Sequence, residues 1–335
     1  VITPTPDRPP TAHAPLGRMQ LDATVVSNVL LCREHYRLVL RVPTFPPTSP
    51  GQFIQVCCHD PQLEQQLPPE FDWKPGWRVG THGSELAGPV ALLRRPFSLA
   101  GRRDSADGVE LQIIHRVVGV GTSWLSQLRV GQQVGILGPL GNCFRLPPAD
   151  GMGVLIGGGV GIPPMLYLAT ALRGRAVAFC GVASRELLPL TVVGQADPSG
   201  IAPRLCLAEF AAHQIPSIVT TDDGSFGFGG FVTQALERWL DAQTLSGACS
   251  PGRITLYACG PEAMMKRVGE IAQARGLGCQ LAVERAMACG MGTCQSCCIR
   301  VRKPDPAQPP LPGSRWCYRL ACTDGPVFEA SELLW

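Results

Sequence analysis

The chain of 335 residues is long enough for two or three domains with cores of their own, which excludes a single small module. Its 29 Lys and Arg against 26 Asp and Glu leave a net charge of +3, too thin for a broad basic face, so nucleic acid is excluded as a main partner. Charged residues are 16% and hydrophobic residues 45%, incompatible with disorder along the whole chain, and 38 Gly with 32 Pro favour a turn-rich β plus α/β protein over a helical bundle.

Residues 1–18 are Pro/Thr-rich and read as a disordered lead with no apolar core of a signal peptide. From Leu21, LDATVVSNVLLCREHYRLVLRV gives two β-branched runs, and PGQFIQV at residues 50–56 begins a third after a Pro-Gly turn. Residues 59–90 are polar and Pro-containing, as expected of a long inserted loop. Further strands are expected over residues 91–99, 109–118 and 133–137, a spacing that suggests a small antiparallel barrel. After Pro147 and Pro148 the rhythm becomes strand, helix, strand: GVLIGGG, then PPMLYLATAL, then AVAFCGV, with later apolar runs at residues 217–220 and 254–259. That alternation implies a parallel sheet. The uncharged stretch 151–172 reaches membrane-spanning length, but its six Gly and the pair Pro163 and Pro164 read as a strand, a turn and a helix, so no membrane is expected. Past residue 280 the chain is a Cys-rich tail. Fifteen cysteines, an odd number, fit a reducing cytoplasm better than a disulfide framework.

Four constellations carry chemistry. Cys289, Cys294 and Cys297 have the C-x4-C-x2-C spacing of plant-type [2Fe-2S] ligation, with Gly290 and Gly292 letting the loop wrap closely. The fourth thiolate must come from Cys317 or Cys322, between which spacing does not decide, and a structural zinc site is the competing reading. GGGVGIPP at residues 157–164 follows an apolar strand and opens a helix, so Gly157, Gly159 and Gly161 would let a backbone approach a dinucleotide pyrophosphate. Arg95, Pro96, Phe97 and Ser98 end a strand, with Ile114, His115, Arg116, Gly121 and Thr122 downstream. Arginine suits a flavin pyrophosphate, an aromatic ring can stack on it, and the Ser98 hydroxyl can reach a ring nitrogen. Cys259, in YACGPE, closes a strand at the carboxyl edge where open parallel sheets bind ligands, which places it near a nicotinamide. Ser184 and Arg185 follow the second nucleotide-domain strand without deciding between NAD and NADP.

Taken in order, RPFS, IHRVVGVGT, GGGVGIPP, TDDGSFGFGGFVT, YACGPEAMM and ERAMACGMGTCQSC make residues 19–335 resemble the electron transfer subunits of type 1B dihydroorotate dehydrogenase, of the ferredoxin-reductase-like superfamily. The resemblance implies a multidomain β plus α/β fold: an antiparallel FAD-binding β-barrel over 19–148, with 59–90 inserted, a parallel-sheet NAD-binding α/β domain over 149–280, and a [2Fe-2S] segment over 281–335. It carries Arg95 to Ser98, Ile114 to Arg116, Gly121 and Thr122 over as FAD contacts, and selects Cys322, which precedes DGPVF, as the fourth cluster ligand. It also implies an FMN-containing catalytic subunit as partner in a heterotetramer, with electrons passing through [2Fe-2S] and FAD to NAD+ in pyrimidine synthesis. An NAD(P)H-dependent ferredoxin or sulfur reductase subunit, and a redox-inactive zinc-stabilised interaction module, are the alternatives.

Overall fold

The computed structural model describes residues 17–60, 91–245, 251–302 and 316–335. The expected lead as far as residue 16, residues 61–90 of the expected insertion, and the Pro-rich stretch 303–315 lie outside the described residues. The first half is a seven-stranded antiparallel sheet: β1 (Met19–Cys32), β2 (His35–Val42), β3 (Phe53–Cys58), β4 (Ala91–Ser98), β5 (Gly101–Ser105), β6 (Gly108–Arg116) and β7 (Gln133–Leu140), in spatial order β4-β3-β7-β1-β2-β6-β5. Alternation sets which residues turn inward. Leu38, Leu40 and Val42 of β2, Ile54, Val56 and Cys58 of β3, and Leu111 and Ile113 of β6 fill one core, around which the sheet curls until β4 approaches β6. A short helix, α1 (Val120–Ser126), plugs this barrel with Leu125.

The second half is a seven-stranded sheet built from β8 (Met152–Gly158), β9 (Ala176–Val182), β10 (Ser217–Thr221), β11 (Phe228–Gly229), β12 (Ile254–Cys259), β13 (Gly278–Ala282) and β16 (Val327–Glu329), in order β11-β10-β9-β8-β12-β13-β16. All its pairings are parallel except the last, in which Ala282 faces Val327 and Gln280 faces Glu329. Helices cover both faces, as parallel strands buried on both sides require. One face packs against α2 (Ile162–Leu172) and α3 (Ala208–Ala211), the other against α4 (Val232–Leu245) and α5 (Glu262–Arg275). Between β13 and β16 the tail forms a hairpin of β14 (Cys298–Arg302) and β15 (Trp316–Leu320). Its buried Ile299 and Val301 join a core that also takes in Phe53, Leu137 and Leu140 of the barrel and Cys297 and Cys322 of the tail. No helix among the described residues is long and apolar enough to cross a membrane; the stretch 151–172 resolves into β8, a tight turn and α2.

Candidate cluster, flavin and nucleotide sites

The cluster loop runs from the end of β13 to β14. Two backbone N–H groups, of Met291 and Cys294, point at the Cys289 sulfur at 3.4 Å each. This is the geometry by which a loop donates to a thiolate ligand. Left-handed backbone at Gly290 (φ +67°) and Gly292 (φ +91°) makes the wrap possible. Ser296 ties the loop to itself, its hydroxyl 3.2 Å from the Cys294 sulfur and accepting from the Ala288 N–H at 3.3 Å. Cys294 is exposed, and its hydrogen bonds from Ser296 and Cys289 hold its thiol down at about 6. Cys322 is buried and hydrogen-bonded to the Cys297 thiol; burial first, then that neighbour, pushes it up to about 12. The sulfurs fall into two pairs, Cys289 with Cys294 and Cys297 with Cys322; thiolates are the donor type a two-iron cluster takes, while among the described residues no three such groups stand close enough together to hold one metal ion. Cys317 instead lies within β15, paired across the hairpin with Val301.

The turn that delivers Cys322 is pinned from the linker between the two halves. Asn142 donates through Nδ2 to the carbonyls of Asp324 (2.9 Å) and Val327 (2.8 Å), and its Oδ1 accepts from the Val327 N–H at 2.9 Å. The Asp324 carboxylate closes the turn on the Leu320 N–H at 2.8 Å.

In the barrel, β4 carries Arg95, Pro96, Phe97 and Ser98 opposite Val56, Gln55, Ile54 and Phe53 of β3. Arg95 is exposed and spends one donor on the Leu93 carbonyl at 3.0 Å. Among the described residues no other partner of its guanidinium is seen, so further donors of its five are placed to meet an anion. Phe97 packs edge-on to His115, ring centroids 6.0 Å apart, and His115 stacks on Tyr36 at 5.8 Å. His115 is 2% exposed with neither ring nitrogen hydrogen-bonded, and burial holds its pKa down to about 4. Ile114 is buried beside it at the end of β6. Arg116 pairs with Glu34 at 2.9 Å. Thr122 is a turn-builder: its hydroxyl accepts from the N–H groups of Val118 (2.9 Å) and Gly119 (3.1 Å). Gly121 lets α1 lie on the sheet, since a Cβ there would come within 3.1 Å of the Cys58 Cβ. The residues expected at a flavin therefore split into Arg95, Phe97 and Ser98 on one strand, and a second group in which Arg116 and Thr122 are engaged by the protein while His115 is buried among aromatic rings.

The nucleotide loop is fixed by close backbone approach. A Cβ on Gly161 would stand 2.1 Å from the Cys259 carbonyl oxygen, and one on Gly157 2.8 Å from the Ile162 Cα, while Gly159 turns the chain at φ +52°. These contacts set the N-terminus of α2, with Pro163 and Pro164 in its first turn, beside the end of β12. Register puts Cys259 level with Gly157 and with Ala282. Burial pushes the Cys259 thiol up to about 12, helped by the Glu284 carboxylate. Glu284, the first residue of the ERAMACGMGTCQSC motif, borders a cleft with Gly260, Pro261 and Arg285, a place for which the motif assigns it no role. Ser184 and Arg185 lie along a larger cleft at the carboxyl ends of β9 and β10, shared with Cys32 of β1. Arg185 rests on the Phe226 ring at 5.1 Å, and its N–H donates to the Ser225 hydroxyl at 2.8 Å.

A barrel abutting a parallel nucleotide sheet is the ferredoxin-reductase-like architecture. The structure of an NADH-dependent reduced ferredoxin-NADP oxidoreductase, described for flavin-based electron bifurcation, superposes with a TM-score of 0.64 at 22% identity, covering 93% of this chain and 90% of the other. The ferredoxin reductase of carbazole 1,9a-dioxygenase gives 0.55 at 18% identity, over 79% and 68%. Residues 284–334 match the iron-sulfur cluster binding domain of dihydroorotate dehydrogenase B. The dihydroorotate dehydrogenase B (NAD(+)) electron transfer subunit of Geobacillus thermodenitrificans is 38% identical over 321 residues, 95% of this chain and 99% of the relative. That of Streptococcus mutans is 34% identical over 245 residues, 72% and 81%. The chain belongs to the family of dihydroorotate dehydrogenase B electron transfer subunits.

Proposed function

We propose that this chain is the electron transfer subunit of a dihydroorotate dehydrogenase complex, holding FAD, a [2Fe-2S] cluster and NAD beside an FMN-containing catalytic subunit in a heterotetramer. The observation that carries the reading is the pairing of thiols, Cys289 with Cys294 in one loop and Cys297 with Cys322, beside β3, the strand paired with the expected flavin motif on β4. FAD, when bound, interconverts the two-electron chemistry of a nicotinamide and the one-electron chemistry of an iron-sulfur centre. Oxidation of dihydroorotate to orotate on the partner yields two electrons and two protons; NAD+ takes up both electrons with one proton, and the other proton passes to solvent.

Each residue has a bounded task. Arg95 would hold the flavin pyrophosphate through its guanidinium, Phe97 would offer an aromatic surface to the flavin, and Ser98 would supply a hydroxyl to it. Gly157, Gly159 and Gly161 bring backbone to the dinucleotide. Cys259, a neutral thiol at physiological pH because its pKa is raised to about 12, orients the nicotinamide and does not act as a nucleophile. Cys289, Cys294, Cys297 and Cys322 hold the cluster. Cytoplasmic residence belongs to the same reading, in keeping with the free thiols of the described cysteines.

The decisive experiment co-expresses this chain with a dihydroorotate dehydrogenase catalytic subunit. A stable complex with flavin and two irons per chain, forming NADH when dihydroorotate is added, is the expected result. A complex that fails to form, or that reduces only ferredoxin or sulfur compounds, sinks the reading.

A further inference from the structure

The strand paired with the flavin motif and the cluster loop meet at one side chain. Gln55 sits in the middle of β3 and is 1% exposed. Its neighbours Ile54 and Val56 point into the barrel core, so Gln55 projects to the opposite side, where Phe53 joins the core shared with Cys297 and Cys322. Its partner across the ladder is Pro96, in the centre of the flavin motif. Across 233 positions of sequence, its Nε2 donates to the carbonyl of Ala288 at 3.2 Å. Ala288 immediately precedes Cys289. The amide also lies flat on Gly290, where a Cβ would come within 2.8 Å of the Gln55 Cδ.

Packing alone does not account for this residue. The Gln55 Oε1 is buried without a hydrogen-bond partner among the described residues, a desolvation cost that an apolar side chain of the same length would avoid. What the amide supplies and an apolar residue cannot is a directional bond from the strand paired with the flavin motif to the first turn of the cluster loop.

We propose that Gln55 is a positioning residue for electron passage between flavin and cluster, fixing the Cys289 turn against β3 and so against β4. The inference rests on the flavin and cluster assignments given above. Reactive groups on two separate segments keep a productive separation only when a supporting contact locks them, and electron transfer slows steeply as that separation grows. Among the described residues no other side-chain hydrogen bond of the loop reaches the barrel: those of Cys289, Cys294 and Ser296 stay within the loop, and Arg285 turns to Glu262 of α5.

The test uses the full chain carrying FAD and iron. Gln55→Met keeps length and volume while deleting the amide; Gln55→Asn keeps the amide but is one methylene too short. Both are mixed anaerobically with NADH. Flavin bleaching is followed by absorbance, and cluster reduction by freeze-quench electron paramagnetic resonance. Expected are unchanged FAD and iron contents, unchanged flavin bleaching, and cluster reduction slowed about fivefold, the equivalent of one hydrogen bond of about 1 kcal/mol, with shifted g values of the reduced cluster. Cluster reduction in step with the parent and unshifted g values overturn the inference. So does a variant that loses iron, or one in which both phases slow together, because Gln55 would then serve assembly or the fold in general. A parent chain that binds no flavin or iron overturns the functional reading, and this inference with it; failure of the variants against a normal parent overturns the inference alone.

Discussion

Two loops of this protein are built on glycine, and they use it for opposite purposes. In the nucleotide loop after β8, Gly157 and Gly161 are demanded by backbone already in place: the Cys259 carbonyl and the Ile162 Cα occupy the space a side chain would need. That loop is shaped by the sheet whether or not a dinucleotide is bound. In the cluster loop, Gly290 and Gly292 supply left-handed turns that wrap the chain around Cys289. The thiols proposed to hold the cluster are unequal, Cys294 of the loop exposed and lowered to about 6, Cys322 beyond β15 buried and raised to about 12. One loop is templated by the fold, and the other by what it holds.

The contrast is tested most severely by Gly161→Ala. With a backbone oxygen 2.1 Å from the new Cβ, the end of β12 and the start of α2 must separate, and a loss of about 3 kcal/mol or more is expected, seen as a lowered melting temperature and weakened NADH binding. A variant as stable as the parent would mean the loop is less templated than its contacts imply. Next in size, Cys322→Ser should strip or reshape the cluster, read as iron content and electron paramagnetic resonance, while NADH still reduces the flavin. Cys317→Ser, within the hairpin, should leave both readings near the parent values.

Arg95→Ala should weaken FAD retention by about tenfold or more, the loss of one charge-assisted bond, with iron content unchanged. Measured by flavin released on desalting, full retention would remove Arg95 from the flavin site. The smallest effect is expected of Cys259→Ala. A neutral thiol that only orients a ring should cost about fivefold in NADH-driven flavin reduction, measured by stopped flow, and nothing in iron. Loss of iron in that variant would place Cys259 with the wrong cofactor.

Much of the fold was legible because burial alternates. The runs after Leu21 became β1 and β2, and the strand-helix-strand rhythm after Pro148 became the nucleotide sheet. What escaped had no such signal, or had one masked by chemistry. β5, GRRDS, is a polar edge strand with nothing to bury. α1 is too short for a helical period and is set by the Thr122 hydroxyl. The segment CIRVR alternates strictly in burial as β14, but the cysteines beside it drew the reading toward ligation. At the site, cysteine spacing announced the cluster loop because its ligands are close in sequence. Gln55 announced nothing, and Glu284 stood at the head of a quoted motif without a role, since each acquires its meaning from a neighbour that folding brings to it. Arg116 illustrates the converse: its place in a motif does not reveal that Glu34 engages its guanidinium.

The pairing of Ala282 with Val327 has a wider consequence. Residues 283–326 leave the nucleotide sheet and return to it at one point, so by topology the whole iron-bearing arm is a detour in a hairpin. The closure of that detour is secured by β13, β16 and the Asn142 clamp, none of which supplies one of the four cysteines proposed to hold the cluster. The arm is in that sense an exchangeable cassette: a tight turn from Ala282 to Val327 would complete the same sheet, and a different arm could be spliced between the same two residues to serve a different electron partner.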